Sequence, residues 1–314
     1  MVVAALAQAS APAQEPLRLA HRWAKGDVAV YRATFEQDAR ESEASSQSST
    51  FRTKQVVRDV SREGIATLDL TYEAVRVRIG PRGGAPDFAF DSESPTTQPS
   101  QSAAYARAFG ALVGAGYSAR VDSSGRVLGI EGAEAMFRRV SEAIGGEAVS
   151  GLLAQFHDAF DAEHLRTRME MSGVVLPPAP IARGGSWTRE CDLVLPSGAS
   201  SHPRVESRFE GVEPVDGQPC ARIESTWRIP AERASETKVP GVGTVRIDLE
   251  ATSGEYRTWF SVDAGYPVRV AGKLPLEMVV STRGDAEPPP GRVARQHVEQ
   301  TISVDLVSLQ RALR

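Results

Sequence analysis

Apolar and polar residues alternate along much of this 314-residue chain. Leu68, Leu70 and Tyr72 occupy every second position, which is the period of a β-strand with one buried face. The same period recurs near the start of the chain and at residues 293–309. We therefore expect antiparallel strands in both halves and a long closing strand at 293–309. The polar Ser/Glu run at residues 42–49 predicts a hairpin loop between the first two strands.

Helical spacing of apolar residues is confined to the middle of the chain. Residues 103–113 predict a short helix, and residues 131–172 form the only long helical region. We expect two helices there, broken at Gly145-Gly146. The apolar stripe of the second helix consists of Val149, Leu152, Leu153, Phe156 and Phe160. Such a stripe should pack on a sheet face or cover an open half-barrel.

Two stretches, GYSARVDSSGRVLGIEG at 116–132 and GEYRTWFSVDAGYPVRVAGKL at 254–274, follow one pattern. Each passes from a strand through Asp and Gly into a second apolar segment, which is typical of a hairpin with a tight turn that needs positive φ at glycine. The matching residues are Asp122 and Gly125 in the first stretch, and Asp263 and Gly265 in the second. We interpret these four residues as structural turns rather than as a site.

Other features recur in the same order in both halves, which suggests that one β unit was duplicated. The offset between matching glycines shrinks along the chain, as expected when loops are lost and strand order is kept. The predicted organisation is one compact domain with this internal repeat. Its parts are a residual signal or disordered tail at 1–16, a first β unit at 17–130, a helical connector at 131–172 and a second β unit at 173–314.

The bulk composition is that of an ordinary globular protein, with 41% hydrophobic and 24% charged residues. A net charge of −4 gives no reason to expect a nucleic-acid partner. The start, MVVAALAQASAPAQEP, has a short apolar run followed by small-residue triplets, which is typical of the end of a secretory signal peptide. We expect a periplasmic or secreted protein without a transmembrane segment; a disordered tail of a cytoplasmic protein is the alternative.

Cys191 and Cys220 are the only cysteines in the chain. In an exported protein they could form one disulfide, and the alternative is two unpaired thiols that act as small buried hydrophobic groups.

No familiar catalytic, nucleotide-binding or metal-binding motif occurs in the chain. His157 and His164 lie seven residues apart on a predicted helix, which favours a solvated polar face over a metal site. Arg76 and Arg78 alternate along a strand and favour a solvated edge over an anion site. The sequence therefore indicates no catalytic residues, no cofactor-binding residues, no cofactor and no metal ligands.

Four short motifs resemble those of an uncharacterised, β-rich family of exported bacterial proteins, a domain of unknown function. They are Lys25-Gly26-Asp27, FDSESP from Phe90, the G-x-x-x-x-VD-x-x-G hairpin from Gly116, and LPPAP-x-x-x-G-x-x-W from Leu176, with Gly185-Ser186 where Gly-Asp is usual. The resemblance implies no activity and no functional residues. The expected architecture is also similar, more weakly, to periplasmic lipoprotein and lipid carriers.

Together these patterns predict an α+β, antiparallel β-rich fold with two related curved sheets, half-barrel or sandwich-like, and a helical insert at about 131–172. The expected function is that of a non-catalytic exported envelope protein that binds a lipid, another hydrophobic ligand or an envelope protein. The alternatives are a structural or adaptor protein that acts through its sheet edges, and an unrecognised hydrolase.

Overall fold

A computed structural model describes most of the chain. The described residues are 15–40, 45–94, 102–145, 156–157, 160–194, 200–239, 243–283 and 292–312. Most of the predicted signal segment, Gly146 and the predicted stripe residues Val149, Leu152 and Leu153 lie outside these ranges.

Sixteen strands lie within the described residues, and every strand pair is antiparallel. In the first half they are β1 Val28–Ala39, β2 Ser45–Val60, β3 Ala66–Pro81, β4 Phe88–Asp91, β5 Gly116–Val121 and β6 Val127–Glu131. In the second half they are β7 Ser186–Glu190, β8 Leu193–Val194, β9 Ser200–Ser201, β10 Arg204–Val215, β11 Gln218–Ile229, β12 Glu232–Val239, β13 Gly243–Leu249, β14 Thr252–Ser261, β15 Pro267–Arg283 and β16 Arg292–Gln310. The antiparallel β-rich α+β prediction is confirmed. The loop expected at 42–49 is too long, because β2 already begins at Ser45.

Fourteen of these strands form one open sheet, and β8 with β9 forms a separate two-stranded ladder. The strand order is β6-β5-β3-β2-β1-β16-β15-β14-β11-β10-β7, with β4 on β3 and the β12–β13 hairpin on β15. The two predicted sets of strands are thus one continuous sheet rather than two. The reason is that β16, expected as a closing strand, lies in the middle of the sheet and pairs with both β1 and β15.

The two halves of the sheet share one strand order. In the first half, β1, β2, β3, β5 and β6 are successive neighbours, and in the second half β7, β10, β11, β14 and β15 are successive neighbours. Tandem duplication of a five-stranded unit predicts this order. The duplication and its boundaries stay a prediction, and the shared order is the structural feature that supports them.

Three helices are bounded within the described residues: α1 Ala103–Leu112, α2 Ala133–Ile144 and α3 Ala162–Ser172. The predicted break after α2 is present, since Gly145 follows its last turn with a φ of 67°. Phe156 and Phe160 of the predicted stripe are each 5% exposed and belong to the core of the first half. In the part of the chain that the structure describes, no helix has the length and apolar character needed to cross a bilayer.

The two hairpin turns both place glycine at positive φ, 94° at Gly125 and 72° at Gly265. In the first turn the Asp122 carboxylate accepts hydrogen bonds from the backbone N–H of Ser124 and Arg126. In the second turn the hydroxyl of Ser261 accepts a hydrogen bond from the N–H of Ala264. Asp263 lies within this turn, and the Ser261 hydroxyl makes a turn contact comparable with those of the Asp122 carboxylate.

The N-terminal segment joins these two distant turns. The backbone N–H of His21 donates to Ser123 at 2.8 Å in the β5–β6 turn, and that of Arg22 donates to Gly265 at 3.3 Å in the β14–β15 turn. Because β5 and β14 are separated by several strands in the sheet order, the sheet must curve strongly to bring both turns to one short segment. This curvature gives the first half of the sheet a concave face.

A buried carboxylate, Asp27, fixes both chain ends beside this segment. Its side chain is 1% exposed and forms an ion pair with Arg311. It also accepts hydrogen bonds from the Tyr266 hydroxyl at 3.1 Å and from the N–H groups of Ala24 and Ala312 at 3.2 and 2.9 Å. A buried charge is tolerated when it is paired and hydrogen-bonded in this way.

Replacing Asp27 with Ala should lower the free energy of unfolding by about 3 kcal/mol, because it leaves buried donors without an acceptor. Asp59→Ala is the matched control, since Asp59 pairs with Lys25 at 3.7 Å while both side chains are mostly exposed. Such a pair contributes less than about 1 kcal/mol. Urea unfolding of the three proteins measures both effects, and equal losses would contradict the role given to Asp27.

Gly125→Ala should destabilise the protein more than Gly64→Ala. Both glycines have positive φ, and a β-carbon at Gly64 meets nothing within 4 Å. A β-carbon at Gly125 would lie 2.5 Å from the Val174 carbonyl oxygen and 2.8 Å from His21 Nε2. We expect losses of about 1 kcal/mol at Gly64 from backbone strain alone and about 2–4 kcal/mol at Gly125. Thermal unfolding compares them, and the reverse order would exclude close packing at this turn.

Candidate functional site

A cavity of about 150 Å³ lies between the concave face of the first half of the sheet and α3. The N-terminal segment and the β5–β6 turn also border it. Its lining residues are His21, Trp23, Tyr31, Ala33, Phe35, Phe51, Thr53, Gln55, Leu68, Leu70, Tyr72, Tyr117, Val121, Gly125, Val127, Arg168, Met169, Ser172, Gly173, Val174, Pro267 and Val304. The cavity thus lies between a helix and the sheet.

The alternation of side chains along the strands places the residues that form the cavity walls. On β1 the lining residues are Tyr31, Ala33 and Phe35, and on β3 they are Leu68, Leu70 and Tyr72. On each strand they are two residues apart and therefore point to one face of the sheet. The walls are mostly apolar and include several aromatic rings.

Ion pairs to the second half of the sheet hold α3 over the cavity. Glu170 and Arg189 pair at 3.1 Å, and their side chains are only 9% and 11% exposed. The Arg189 guanidinium also lies 5.2 Å from the Trp227 ring centre. One turn earlier in α3, Arg166 contacts Asp192 at 3.1 Å. These contacts fix one face of α3 and leave Arg168 and Met169 on the cavity.

Arg168 enters a group of aromatic rings. Its guanidinium carbon lies 5.0 Å from the ring centre of Phe160, 5.8 Å from that of Phe35 and 6.0 Å from that of Phe51. Distances of this order are typical of cation–π contacts. The cavity therefore has one positively charged group on an otherwise mostly apolar wall.

Tyrosine hydroxyls supply further polar groups. Burial raises the pKa of Tyr31, Tyr72 and Tyr117, and the positive charge of Arg168 partly opposes this for Tyr72 and Tyr117. All three hydroxyls stay protonated at neutral pH and can donate hydrogen bonds.

His21 closes one end of the cavity as a neutral group. Its ring stacks on Trp23 at 4.6 Å and meets the edge of Phe260 at 5.0 Å. Burial lowers the pKa of His21 to about 4, although the carbonyl of Val174 and the charge of Asp122 favour the protonated form. The protein therefore contains neutral His21 at pH 7.

The four turn residues predicted from the sequence lie in the two hairpin turns. Gly125 lines the end of the cavity, whereas Gly265 contacts Arg22 in the neighbouring turn. Asp263 is exposed, and its backbone carbonyl accepts from Arg22. The Asp122 carboxylate caps its own turn and places a negative charge near His21.

Cys191 and Cys220 are both free thiols, so the disulfide that the sequence allowed is not formed. Cys191 follows Glu190, which pairs with one end of β10, while Cys220 pairs with Glu213 nine residues further along β10. That separation is about 30 Å, and a disulfide requires Cα atoms within about 7 Å. Burial also raises the pKa of the Cys191 thiol to about 11, which keeps it protonated and unreactive at neutral pH.

Sequence reasoning missed His21 and Arg168. Neither belongs to a motif, and each is a single polar residue whose neighbours come from distant strands. Within the described ranges, no group of three or more His, Cys, Asp or Glu side chains is arranged to hold a metal ion.

Part of the chain is similar to a protein family. Residues 63–203 match the model of a Family of unknown function (DUF6263). This segment begins in the turn before β3 and ends just before β10, so it includes all three helices and only part of the sheet. The expected resemblance to a family of unknown function is confirmed. None of the curated proteins matches the chain.

Among solved structures, one described as lipid–protein interactions in lipovitellin is similar, with a TM-score of 0.44 and 12% sequence identity. The likeness covers 93% of this chain and 26% of the lipovitellin chain, so this chain spans about a quarter of that protein.

The titration of His21 makes protein stability depend on pH. A pKa lowered from 6.5 to about 4 means that its contribution is complete above pH 6.5 and is lost as pH falls towards 4. We expect the unfolding free energy of the wild type to fall by about 2 kcal/mol more between pH 7.5 and 4.5 than that of His21→Phe. Urea unfolding of the two proteins at both pH values tests this, and parallel pH dependences would contradict it.

Proposed function

We propose that this protein is a non-catalytic binding protein that holds the hydrophobic part of a ligand in the cavity between α3 and the concave sheet face. The observation that carries the proposal is the cavity itself, with its apolar and aromatic walls and few polar groups. Ligand sites are commonly concave and apolar with a small number of placed polar groups. The finer assignment, to a lipid or to another amphiphile, is part of this proposal.

The volume of the cavity indicates the size of the ligand that it can hold. Protein interiors are close-packed, and unfilled space costs about 24 cal/mol per Å³. For about 150 Å³ this corresponds to about 3–4 kcal/mol that filling with apolar atoms would recover. An apolar cavity of similar size in another protein accommodates benzene. The cavity therefore suits about six carbon atoms, such as a short acyl segment or one ring.

The position of α3 over the cavity also supports ligand binding. The ion pairs of α3 lie on the side of the second half of the sheet, at Glu170 and Arg166. Most of the walls come from the first half, and Pro267 and Val304 add to them from β15 and β16. A ligand would thus lie where the two halves of the molecule meet. We propose the same periplasmic or secreted location that the start of the chain suggests, where such a protein would meet lipids and other amphiphiles.

A series of straight-chain alcohols from butanol to decanol tests the proposal. Affinity should rise about fourfold with each added CH₂ group, because burial of one such group contributes about 0.8 kcal/mol. The rise should level off once the chain exceeds about six carbons, when the cavity is filled. Isothermal titration calorimetry measures the series, and no binding by any alcohol would overturn the proposed function.

Two valines on β16 give a matched pair of variants. Val304 lines the cavity and is 5% exposed, whereas Val307 is 47% exposed. Val304→Phe should lower the affinity for hexanol at least tenfold by occupying the space, and Val307→Phe should leave it within about twofold. Ala33→Leu fills the cavity from β1 and serves if Val304→Phe does not fold. Equal hexanol affinity in cavity and surface variants would place the binding elsewhere.

A further inference from the structure

We propose that the ligand of this cavity is an amphiphile with an oxyanion head, a carboxylate or a phosphate, that Arg168 and the neighbouring tyrosine hydroxyls bind. This inference rests on the proposed function and names the chemical class of its ligand. It is carried by three observations: the charges on the cavity wall, the surroundings of Arg168 and the protonated hydroxyls beside it.

The charges on the cavity wall have one sign. Among the described lining residues, Arg168 is the single arginine, there is no lysine, and there is no Asp or Glu. The remaining titratable nitrogen group, His21, is neutral at pH 7. A ligand head with a negative charge complements this wall, while an ammonium head would face a like charge.

The aromatic surroundings orient the guanidinium of Arg168. The rings of Phe35 and Phe51 come from adjacent strands, and the ring of Phe160 comes from the segment before α3; all three centres lie within 6.0 Å of the guanidinium carbon. A guanidinium group that packs against ring faces keeps its N–H donors in a fixed plane. This planar fork matches the two oxygens of a carboxylate or phosphate.

Tyr72 and Tyr117 lie beside the same rings. The Tyr72 ring centre is 5.6 Å from that of Phe51, 6.2 Å from that of Phe160 and 6.4 Å from that of Tyr117. Burial keeps both hydroxyls protonated. The Tyr72 hydroxyl accepts a hydrogen bond from Arg168 and is hydrogen-bonded to the Tyr117 hydroxyl, so one of the two hydroxyl protons remains to donate to an oxyanion next to Arg168. Hydrogen bonds to a charged oxygen are stronger than neutral ones, and a setting of low dielectric strengthens them further.

The contrast with the neighbouring arginine of α3 supports this assignment. Arg166 points away from the cavity and contacts the exposed carboxylate of Asp192. Arg168, two residues later, lines the cavity. The same short helix thus carries one arginine for attachment to the second half of the sheet and one whose charge faces the ligand space.

The test compares probes that each contain six carbon atoms and carry different head groups: hexanoate, hexyl phosphate, 1-hexanol and hexylamine at pH 7.5. We expect hexanoate or hexyl phosphate to bind about tenfold more tightly than hexanol, and hexylamine to bind more weakly than hexanol. The stronger of the two anions identifies the head group. Inorganic phosphate alone should bind far more weakly than hexyl phosphate, because it lacks the hydrophobic part.

Variants assign the preference to Arg168. Arg168→Met should remove the advantage of the anion over hexanol while hexanol still binds, and Arg168→Lys should restore part of it. Arg78→Met is the matched control, since Arg78 is exposed on β3 and does not line the cavity, and it should keep the full preference. Circular dichroism and urea unfolding confirm that each variant is folded, and the wild-type series decides the question if Arg168→Met is not.

The outcomes separate this inference from the proposed function. Equal binding of hexanoate, hexyl phosphate and hexanol to the wild type would overturn the oxyanion assignment and leave the hydrophobic site standing. A preference for anions that persists in Arg168→Met would also overturn it. If none of the four probes binds, the proposed function itself fails.

Discussion

The pairing of β1 with β16 is the interaction on which the rest of the structure depends. The pairing runs from Val28 opposite Gln310 to Ala39 opposite Val298. It therefore joins the first strand to the last strand along the whole length of β1. Through β16 it also connects β1 to β15, which makes one sheet of two halves. Contacts between residues so far apart in sequence are costly in chain entropy. The buried Asp27 cluster, next to the start of β1, stabilises the same region by binding the C-terminal Arg311.

The cavity follows from this arrangement. Because β1 and β16 lie in the middle of a strongly curved sheet, the concave face of the first half opens towards α3, and the N-terminal segment closes one end. The ion pairs of α3 with strands of the second half hold the helix across the opening. The position of Arg168 over the cavity therefore depends on contacts made by other residues of α3. The proposed ligand class therefore depends on the contacts that hold α3 against the sheet as well as on Arg168 itself.

Much of the architecture could be predicted from local pattern. Alternation of apolar residues placed the strands around Leu68 and Tyr72, and glycine in a tight turn implied positive φ at Gly125 and Gly265. One failure concerned an element boundary, because β2 begins at Ser45, inside the predicted loop. The side chain that caps the second turn, that of Ser261, was not identified from the sequence. Cys191 directly follows β7 and Cys220 lies on β11, and the two positions are far apart along β10, which sequence separation does not show.

The sequence by itself determined the secondary structure, the β-rich class and the direction in which apolar side chains point, because these depend on periodicity and on the conformational preferences of single residues. Only the tertiary structure decided that the two halves form one sheet, that β16 is central, and that His21 and Arg168 border the same cavity. These features depend on pairings between residues more than a hundred positions apart. Such pairings are selected by packing and burial of the whole chain, and short stretches of sequence do not encode them.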